Sequence, residues 1–279
     1  MKAFTNDPAS SGSLGAATRD VVSALPRRRM TIRDLIPAVE VSTNLIEFAA
    51  QTSRPNAAAT VAEGAAKPES SMTFVLRTVP TQVIAHWIAA SRQVLDDLPQ
   101  LRDLVDGELR YGLMEAEEAQ ILNGNGIGSN LHGLIPSATA FADPQALAEP
   151  TQIDILGAAI LQNALADFPA DGIVVHPSDW MRMRMLKDGD GKYILGAPGA
   201  AVEPVLFGLP VVATKAIAAG SFLVGNFQMA ATVYDRWQAR VEVSSHHEDF
   251  FTSNKVAILA EERLGLAVKQ PTALTYGQF

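Results

Sequence analysis

The chain has 279 residues, of which 48% are apolar and 19% charged, and its formal net charge is −8. This composition is typical of a chain with a packed core and argues against disorder over most of its length. Since there is no cysteine, disulfides, Cys-ligated zinc, iron–sulfur clusters and thiol nucleophiles are excluded. The acidic charge argues against DNA binding, and no apolar run approaches the roughly 20 residues of a membrane span. We therefore expect a protein made in the cytoplasm that does not enter a membrane.

The first 29 residues show neither a helical nor a strand period. They are rich in Ser, Ala, Gly and Asn, and they end in three arginines at 27–29. We interpret this segment as an extended arm. The arginines are either a solvated basic patch or a contact for an acidic neighbour.

A polar segment at 51–72 separates two strand-like runs, 45–48 and 72–76. Val61 and Met72 are its only large aliphatic residues. Two strands joined by such a tip predict a long hairpin that cannot build a core of its own. We therefore expect another molecule to receive it.

A helix of about seven turns is predicted from Asp97 to Leu122. Acidic N-cap candidates precede Pro99, and apolar residues then recur at steps of three and four. Gly112 inside this helix should cost ~1 kcal/mol relative to alanine. The glycine-rich segment 123–128 follows the helix C-terminus, whereas phosphate-binding loops precede a helix N-terminus, so we interpret it as a C-cap and surface loop.

After Pro150 the pattern becomes mixed α/β. Helices are predicted at 153–164 and 179–186. Strands are predicted at 172–175, 210–213, 221–224, 240–243 and 256–260.

No conventional active site is predicted. The five histidines form no H-x-x-x-H pair, and no G-x-S-x-G motif occurs. The segment 188–192 begins like a calcium loop but has Lys192 at the fifth position, so it is interpreted as a turn. His176, Ser178 and Asp179 are too close in sequence to form a catalytic triad. We expect neither a metal nor a cofactor.

Six short motifs recur in the order and spacing of one known family. They are TIRDL at 31–35, KPES at 67–70, IAHW with ASRQ at 84–93, LNG at 122–124, GLPVV at 208–212 and EERL at 261–264. Together they closely resemble the major capsid proteins of tailed phages of the Hong Kong 97 type. Each motif is weak alone, but six in register are specific, and the resemblance runs from about residue 29 to the C-terminus.

The resemblance implies an α+β capsid fold of the Hong Kong 97 type. Its expected parts are an N-terminal arm at 1–30, an E-loop at 45–80, a P-domain at 31–44, 81–145 and 250–279, and a mixed α/β A-domain at 146–249. The predicted long helix would be the spine of the P-domain. Arm and E-loop would lie against neighbouring subunits, so the missing burial would be intermolecular.

The resemblance also implies a structural function rather than an enzymatic one. The chain would assemble as hexamers and pentamers into an icosahedral phage head, which encloses double-stranded DNA without binding it specifically. An acidic inner surface would repel that DNA. Expected partners are a portal, a scaffold or protease, and a decoration protein, with assembly in the host cytoplasm and final location in the virion. If Met1 is the initiator, a separate protein must act as scaffold; if the chain starts at a processed or engineered position, nothing follows about the scaffold.

One covalent reaction is implied by the resemblance as well. In the self-cross-linking member of the family, an E-loop lysine attacks an asparagine of an adjacent subunit while a glutamate accepts the proton. The matching residues are Lys67, Asn254 and Glu261. A lysine is charged in water, and burial against a neighbour would favour its neutral, nucleophilic form. The alternative roles are an exposed charge, a turn residue and a salt-bridge partner.

Two positions depart from the family pattern, and two other functions stay open. A charged pair that bridges subunits near the three-fold axes of the cross-linking relative falls on Gln51 and Ser245, so those contacts must differ here. One alternative function is an encapsulin-like nanocompartment shell of the same fold, filled with enzyme cargo. The other is a small-molecule α/β enzyme that uses His176 or the glycine-rich loop, which would be a compact monomer or dimer.

Overall fold

The computed structural model describes residues 32–93, 99–196 and 204–279. The predicted arm at 1–30 and the acidic N-cap of the long helix lie outside these residues. In the described part, the chain divides into two compact units. The smaller contains Val83–Glu118 and Trp237–Arg263, and the larger contains Thr31–Gln82, Ala119–Arg236 and Leu264–Phe279.

The described chain begins with four strands, alternates between strand and helix from Thr139 to Leu206, and ends mainly in strands. The strands are β1 (Ala38–Glu40), β2 (Leu45–Ser53), β3 (Thr73–Pro80), β4 (Gln82–Ser91), β5 (Thr139–Ala140), β6 (Gly172–Val175), β7 (Val205–Leu206), β8 (Leu209–Ala213), β9 (Ser221–Gly225), β10 (Ala231–Ser244), β11 (Lys255–Val268) and β12 (Leu274–Gln278). The helices are α1 (Pro99–Asn123), α2 (Leu134–Ser137), α3 (Gln152–Leu165), α4 (Pro177–Arg184) and α5 (Phe227–Ala230), with 3₁₀ turns at Ile32–Leu35 and Pro271–Ala273.

The described strands form sheets in the orders β1-β10-β11-β4, β5-β12-β9-β6-β8-β7 and β2-β3. In the second sheet β6 runs parallel to β8 and antiparallel to β9. This combination confirms the α+β class. The long helix and the strands predicted after residue 150 are present, most with ends within two residues of the prediction. The last two of these strands are much longer than predicted: β10 begins nine residues before residue 240, and β11 ends eight residues after residue 260.

The core of the larger unit lies where α3 covers the mixed sheet. Every residue of β6 and β9 is buried, as expected for central strands of a covered sheet. Leu156 and Ala159 of α3 pack against apolar side chains of these strands, among them Ile173 and Phe222. Asn163 adds a buried polar connection between helix and sheet: its amide donates to the carbonyl of Val224 and accepts from the Thr275 hydroxyl.

The core of the smaller unit lies between α1 and its strands. Leu109 and Leu113 of α1 pack against three residues of β11: Val256, Ile258 and Ala260. In the first half of β11, buried residues alternate with partly exposed ones. Since side chains alternate across a strand, the odd-numbered residues of this segment lie on the face opposite α1.

Gly112 has a packing role that explains its place inside α1. A Cβ atom at this position would lie 2.6 Å from Cε1 of His86. The His86 ring occupies that space and donates a hydrogen bond from Nε2 to the carbonyl of Leu109 (2.8 Å). Glycine at this position lowers helix propensity, but it permits a contact with the His86 ring that any larger residue would prevent.

The predicted hairpin is present, and its strands are longer than the runs that the sequence pattern indicated. Strands β2 and β3 pair antiparallel, with Leu45 opposite Pro80 and Gln51 opposite Phe74. The residues at 54–72 form an irregular tip whose side chains are almost all exposed. Ile46 is buried near the base of the hairpin. The hairpin is therefore anchored at its base, whereas its tip is exposed.

Candidate cross-linking residues

Lys67 lies near the end of the hairpin, on the irregular tip at 54–72, and its side chain is exposed. A hydrogen bond from the backbone N–H of Ala57 to Ser70 Oγ (3.1 Å) joins the two sides of this tip. Within the described residues, the Lys67 ammonium has no ion-pair partner. The lysine is therefore accessible to another molecule.

Asn254 lies in the turn that precedes β11. Its φ of 52° is in the left-handed region, which asparagine tolerates better than most residues. Its carbonyl accepts a hydrogen bond from the backbone N–H of Arg92 (2.9 Å). The side chain is exposed and forms no hydrogen bond with the residues that the structure describes. The backbone of Asn254 is thus fixed while its amide is accessible.

Aromatic contacts hold this turn against β4. The His247 ring lies 4.9 Å from that of Trp87 and 5.1 Å from that of Phe250, both edge to face. Such pairs stabilise by about 0.5–1.5 kcal/mol beyond the area they bury. The cluster supports the backbone on which Asn254 is placed.

Glu261 lies on β11 and is paired with an arginine of the neighbouring strand β10. Nε of Arg240 donates to Oε1 of Glu261 (2.9 Å), and Nη2 of Arg240 donates to the same oxygen. The Glu261 side chain is 17% exposed. Its carboxylate raises the pKa of the Arg240 guanidinium above the usual value by accepting this hydrogen bond. Glu261 is therefore held in one orientation.

Arg240 is the functional candidate that sequence reasoning missed. Its guanidinium lies 4.7 Å from the Trp237 ring centroid and 3.5 Å from the Glu242 carboxylate. In the sequence it is one charge in an alternating strand, Arg240-Val-Glu242. Only the register of β10 against β11 brings it to Glu261, and a single sequence does not give that register.

Asn254 and Glu261 of one copy are too far apart to act on the same bond. Seven residues separate them, and β11 is extended over nearly all of this distance. At about 3.3 Å per residue they lie roughly 20 Å apart, well beyond the reach of two short side chains. A reaction that uses both residues therefore needs more than one copy of the chain.

The other candidate residues, His176, Asp179 and the glycine-rich segment, have structural roles. His176 caps α4, because its Nδ1 accepts from the backbone N–H of Ser178. Asp179 accepts from the backbone N–H of Gly220, and the glycine-rich segment follows the C-terminus of α1. Among the described residues, no group of His, Asp and Glu is placed to hold a metal ion, and no helix is long and apolar enough to cross a membrane.

Known proteins with similar sequences and folds are phage capsid proteins. The chain is 45% identical to the major capsid protein of Enterobacteria phage HK97, over all of this chain and 72% of that protein. Its fold matches a capsid chain of a native GTA particle, with a TM-score of 0.75, 20% identity and 95% of both chains covered. A chain from Mycobacterium phage Bobi matches with a TM-score of 0.75, 15% identity and 95% coverage of both chains.

These matches confirm the predicted capsid fold of the Hong Kong 97 type. They indicate a structural protein of the phage shell, and therefore of the virion, rather than an enzyme. The sequence profile described as "Phage capsid family" matches residues 15–279. The chain belongs to the phage capsid family.

Proposed function

We propose that this chain is the major subunit of an icosahedral phage head and that its subunits are joined by isopeptide bonds between Lys67 and Asn254. It assembles as hexamers and pentamers, encloses double-stranded DNA and is built in the host cytoplasm with a portal, a scaffold or protease and a decoration protein. The observation that carries the proposal is the exposed Lys67 on a hairpin tip that has no core of its own. The domain boundaries expected from the resemblance are part of this proposal.

The hairpin also presents apolar side chains to water. Met72 is 62% exposed, and on β3 Phe74 and Leu76 are 58% and 65% exposed. Large apolar side chains grouped in this way are typical of an interaction surface. We assign this surface to a neighbouring copy in the shell, which would bury the hairpin and deliver Lys67.

The reaction needs a neutral amine and a place for its proton. Glu261 accepts a proton from the Lys67 ammonium, and the neutral Nζ then attacks Cγ of Asn254. The new Nζ–Cγ bond forms, Nδ2 takes the proton held by Glu261, and the Cγ–Nδ2 bond breaks to release ammonia. The extra proton on Nζ then passes to Glu261 and from there to the ammonia, which departs as ammonium. The step requires no oxidant, metal or nucleotide, and it leaves an amide in place of an amide.

The separation of Asn254 from Glu261 makes the site an intersubunit site. Glu261 of one copy serves Asn254 of a different copy, and the lysine arrives on a hairpin. Cross-linking is then coupled to assembly, because free subunits do not bring these groups together.

The primary test is denaturing electrophoresis of purified particles. We expect a ladder of covalent oligomers that survives boiling in SDS, and a single monomer band from Lys67→Arg particles. Arginine keeps the positive charge, so assembly should be preserved while the bond cannot form. If wild-type particles run as a monomer, the covalent function is wrong. If the particles contain enzyme cargo and no DNA, the nanocompartment alternative replaces the phage head.

A mixing experiment tests whether the site is shared. Asn254→Asp and Glu261→Gln subunits are each expected to remain uncross-linked. Aspartate is chosen because it also tolerates a positive φ. When the two are assembled together, Asn254 from one variant and Glu261 from the other complete some sites, so cross-links should reappear. If mixed particles stay uncross-linked while each variant assembles, the two residues act from the same copy and the intersubunit assignment fails.

A further inference from the structure

We propose that Arg240 is a positioning residue for cross-linking: it holds Oε1 of Glu261 and leaves Oε2 facing the incoming Lys67. The inference rests on the proposed cross-linking function and adds a residue to it. It is drawn from the unusual form of the ion pair, in which Nε and Nη2 of Arg240 both donate to the same carboxylate oxygen.

The second carboxylate oxygen is available. Among the described residues, Oε2 of Glu261 accepts no hydrogen bond, and it is not one of the buried polar atoms that lack a partner, so it contacts solvent. When Oε2 takes a proton, Oε1 becomes the carbonyl oxygen of a carboxylic acid and still accepts both hydrogen bonds from Arg240. Glu261 can therefore accept the lysine proton without releasing its partner. If Arg240 instead donated one N–H to each carboxylate oxygen, one of the two hydrogen bonds would have to break before Glu261 could accept the proton.

Arg240 is itself held from other directions. Its guanidinium lies over the Trp237 ring at 4.7 Å, and the Glu242 carboxylate is 3.5 Å from Nε. A donor held by these contacts restricts the rotamers of Glu261 before the hairpin arrives. The conformational entropy of the proton acceptor is then lost during folding rather than in the transition state, which speeds the reaction.

The same ion pair also has an effect that would slow cross-linking. The direction of the change in rate when Arg240 is removed therefore shows which of the two effects is larger. A guanidinium beside a carboxylate favours the ionised form and so resists proton uptake. If this effect dominated, Arg240 would inhibit cross-linking, and its removal would accelerate the reaction. If positioning dominates, as the end-on geometry indicates, removal slows cross-linking. The rate of cross-linking distinguishes the two directly.

The experiment follows the appearance of covalent oligomers on denaturing gels after assembly of wild-type, Arg240→Ala and Arg240→Lys particles. We expect Arg240→Ala to cross-link about fivefold more slowly than wild type and Arg240→Lys to lie between them, because lysine keeps one donor for Oε1. Arg263→Ala is the matched control: it removes the other cation over Trp237, at 5.5 Å, and leaves both Glu261 hydrogen bonds in place. Electron microscopy and sedimentation verify that the particles are alike.

Each outcome bears on one claim. A rate for Arg240→Ala at or above the wild-type rate overturns the positioning role, and so does an equal loss in Arg240→Lys and Arg240→Ala. If Arg240→Ala does not assemble, Arg240→Lys decides alone: a rate below wild type supports the inference and a rate at or above wild type overturns it. Absence of cross-links in wild-type particles would instead refute the proposed function itself, so the two failures are distinguishable.

Discussion

Replacing Gly112 by alanine should destabilise the chain, although alanine is the better helix former. Propensity alone would favour the substitution by ~1 kcal/mol. The new Cβ, however, would lie 2.6 Å from the His86 ring, which must move and give up its 2.8 Å hydrogen bond to Leu109. Overpacking costs about 1–3 kcal/mol and the lost hydrogen bond about 0.5–1.5 kcal/mol. We therefore expect a net loss of about 1–3 kcal/mol in the free energy of unfolding.

Urea unfolding followed by tryptophan fluorescence measures this loss, in the Lys67→Arg background and at matched oligomeric state. Gly157→Ala in α3 is the control, because its Cβ would meet only the exposed Phe207 ring, at 3.3 Å. It should be neutral or up to ~1 kcal/mol stabilising. In a His86→Ala background, Gly112→Ala should become stabilising. If Gly112→Ala raises stability with His86 in place, the packing argument is wrong.

Three further predictions concern the larger unit. Asn163→Ala should cost about 2–4 kcal/mol, because it leaves the buried Thr275 hydroxyl without its acceptor and removes the amide that donates to the Val224 carbonyl; Thr275→Val should cost less, and equal losses in urea unfolding would contradict this. Asp171→Ala removes the acceptor for two backbone N–H groups at the start of α5 and should lower the free energy of unfolding by about 1–2 kcal/mol, with Asp171→Asn losing less. Hydrogen bonds from Thr151 lower the pKa of Asp154 below its ordinary 3.8, so its contribution is present above that pH and is lost as the pH falls through the lowered value. The melting temperatures of wild type and Asp154→Asn should thus differ at pH 6 and converge at a pH well below 3.8, and a difference that persists there would exclude this cause.

Elements with a strong local signal could be predicted from the sequence. The long helix was predicted because Pro99 and the three- and four-residue steps are local features, and the strands at 172–175 and 221–224 because both are continuous apolar runs. The hairpin strands were predicted too short. The outer halves of these strands are held by backbone hydrogen bonds between β2 and β3. Such hydrogen bonds do not require a particular pattern of polar and apolar side chains, so the sequence does not reveal them.

Less of the candidate site than of the fold could be predicted from the sequence. Lys67, Asn254 and Glu261 were predicted from a family resemblance, and the structure describes where each lies in one copy and separates Asn254 from Glu261. Arg240 was not predicted, because its role depends on cross-strand register. The packing reason for Gly112 was missed likewise, since the contact with His86 joins residues 26 positions apart in sequence. Long-range pairings of this kind are decided by tertiary packing rather than by local pattern.

The hairpin has a consequence for the life of the subunit before assembly. Within the described residues, β2 and β3 pair only with each other, so each leaves an unpaired edge. Strand β3 combines such an edge with exposed Phe74 and Leu76 and carries Arg77 as its one charge. These are the features of a segment that nucleates aggregation. Newly made subunits must therefore reach their neighbours quickly or be shielded, and overproduction in the absence of assembly partners should divert them into amorphous deposits.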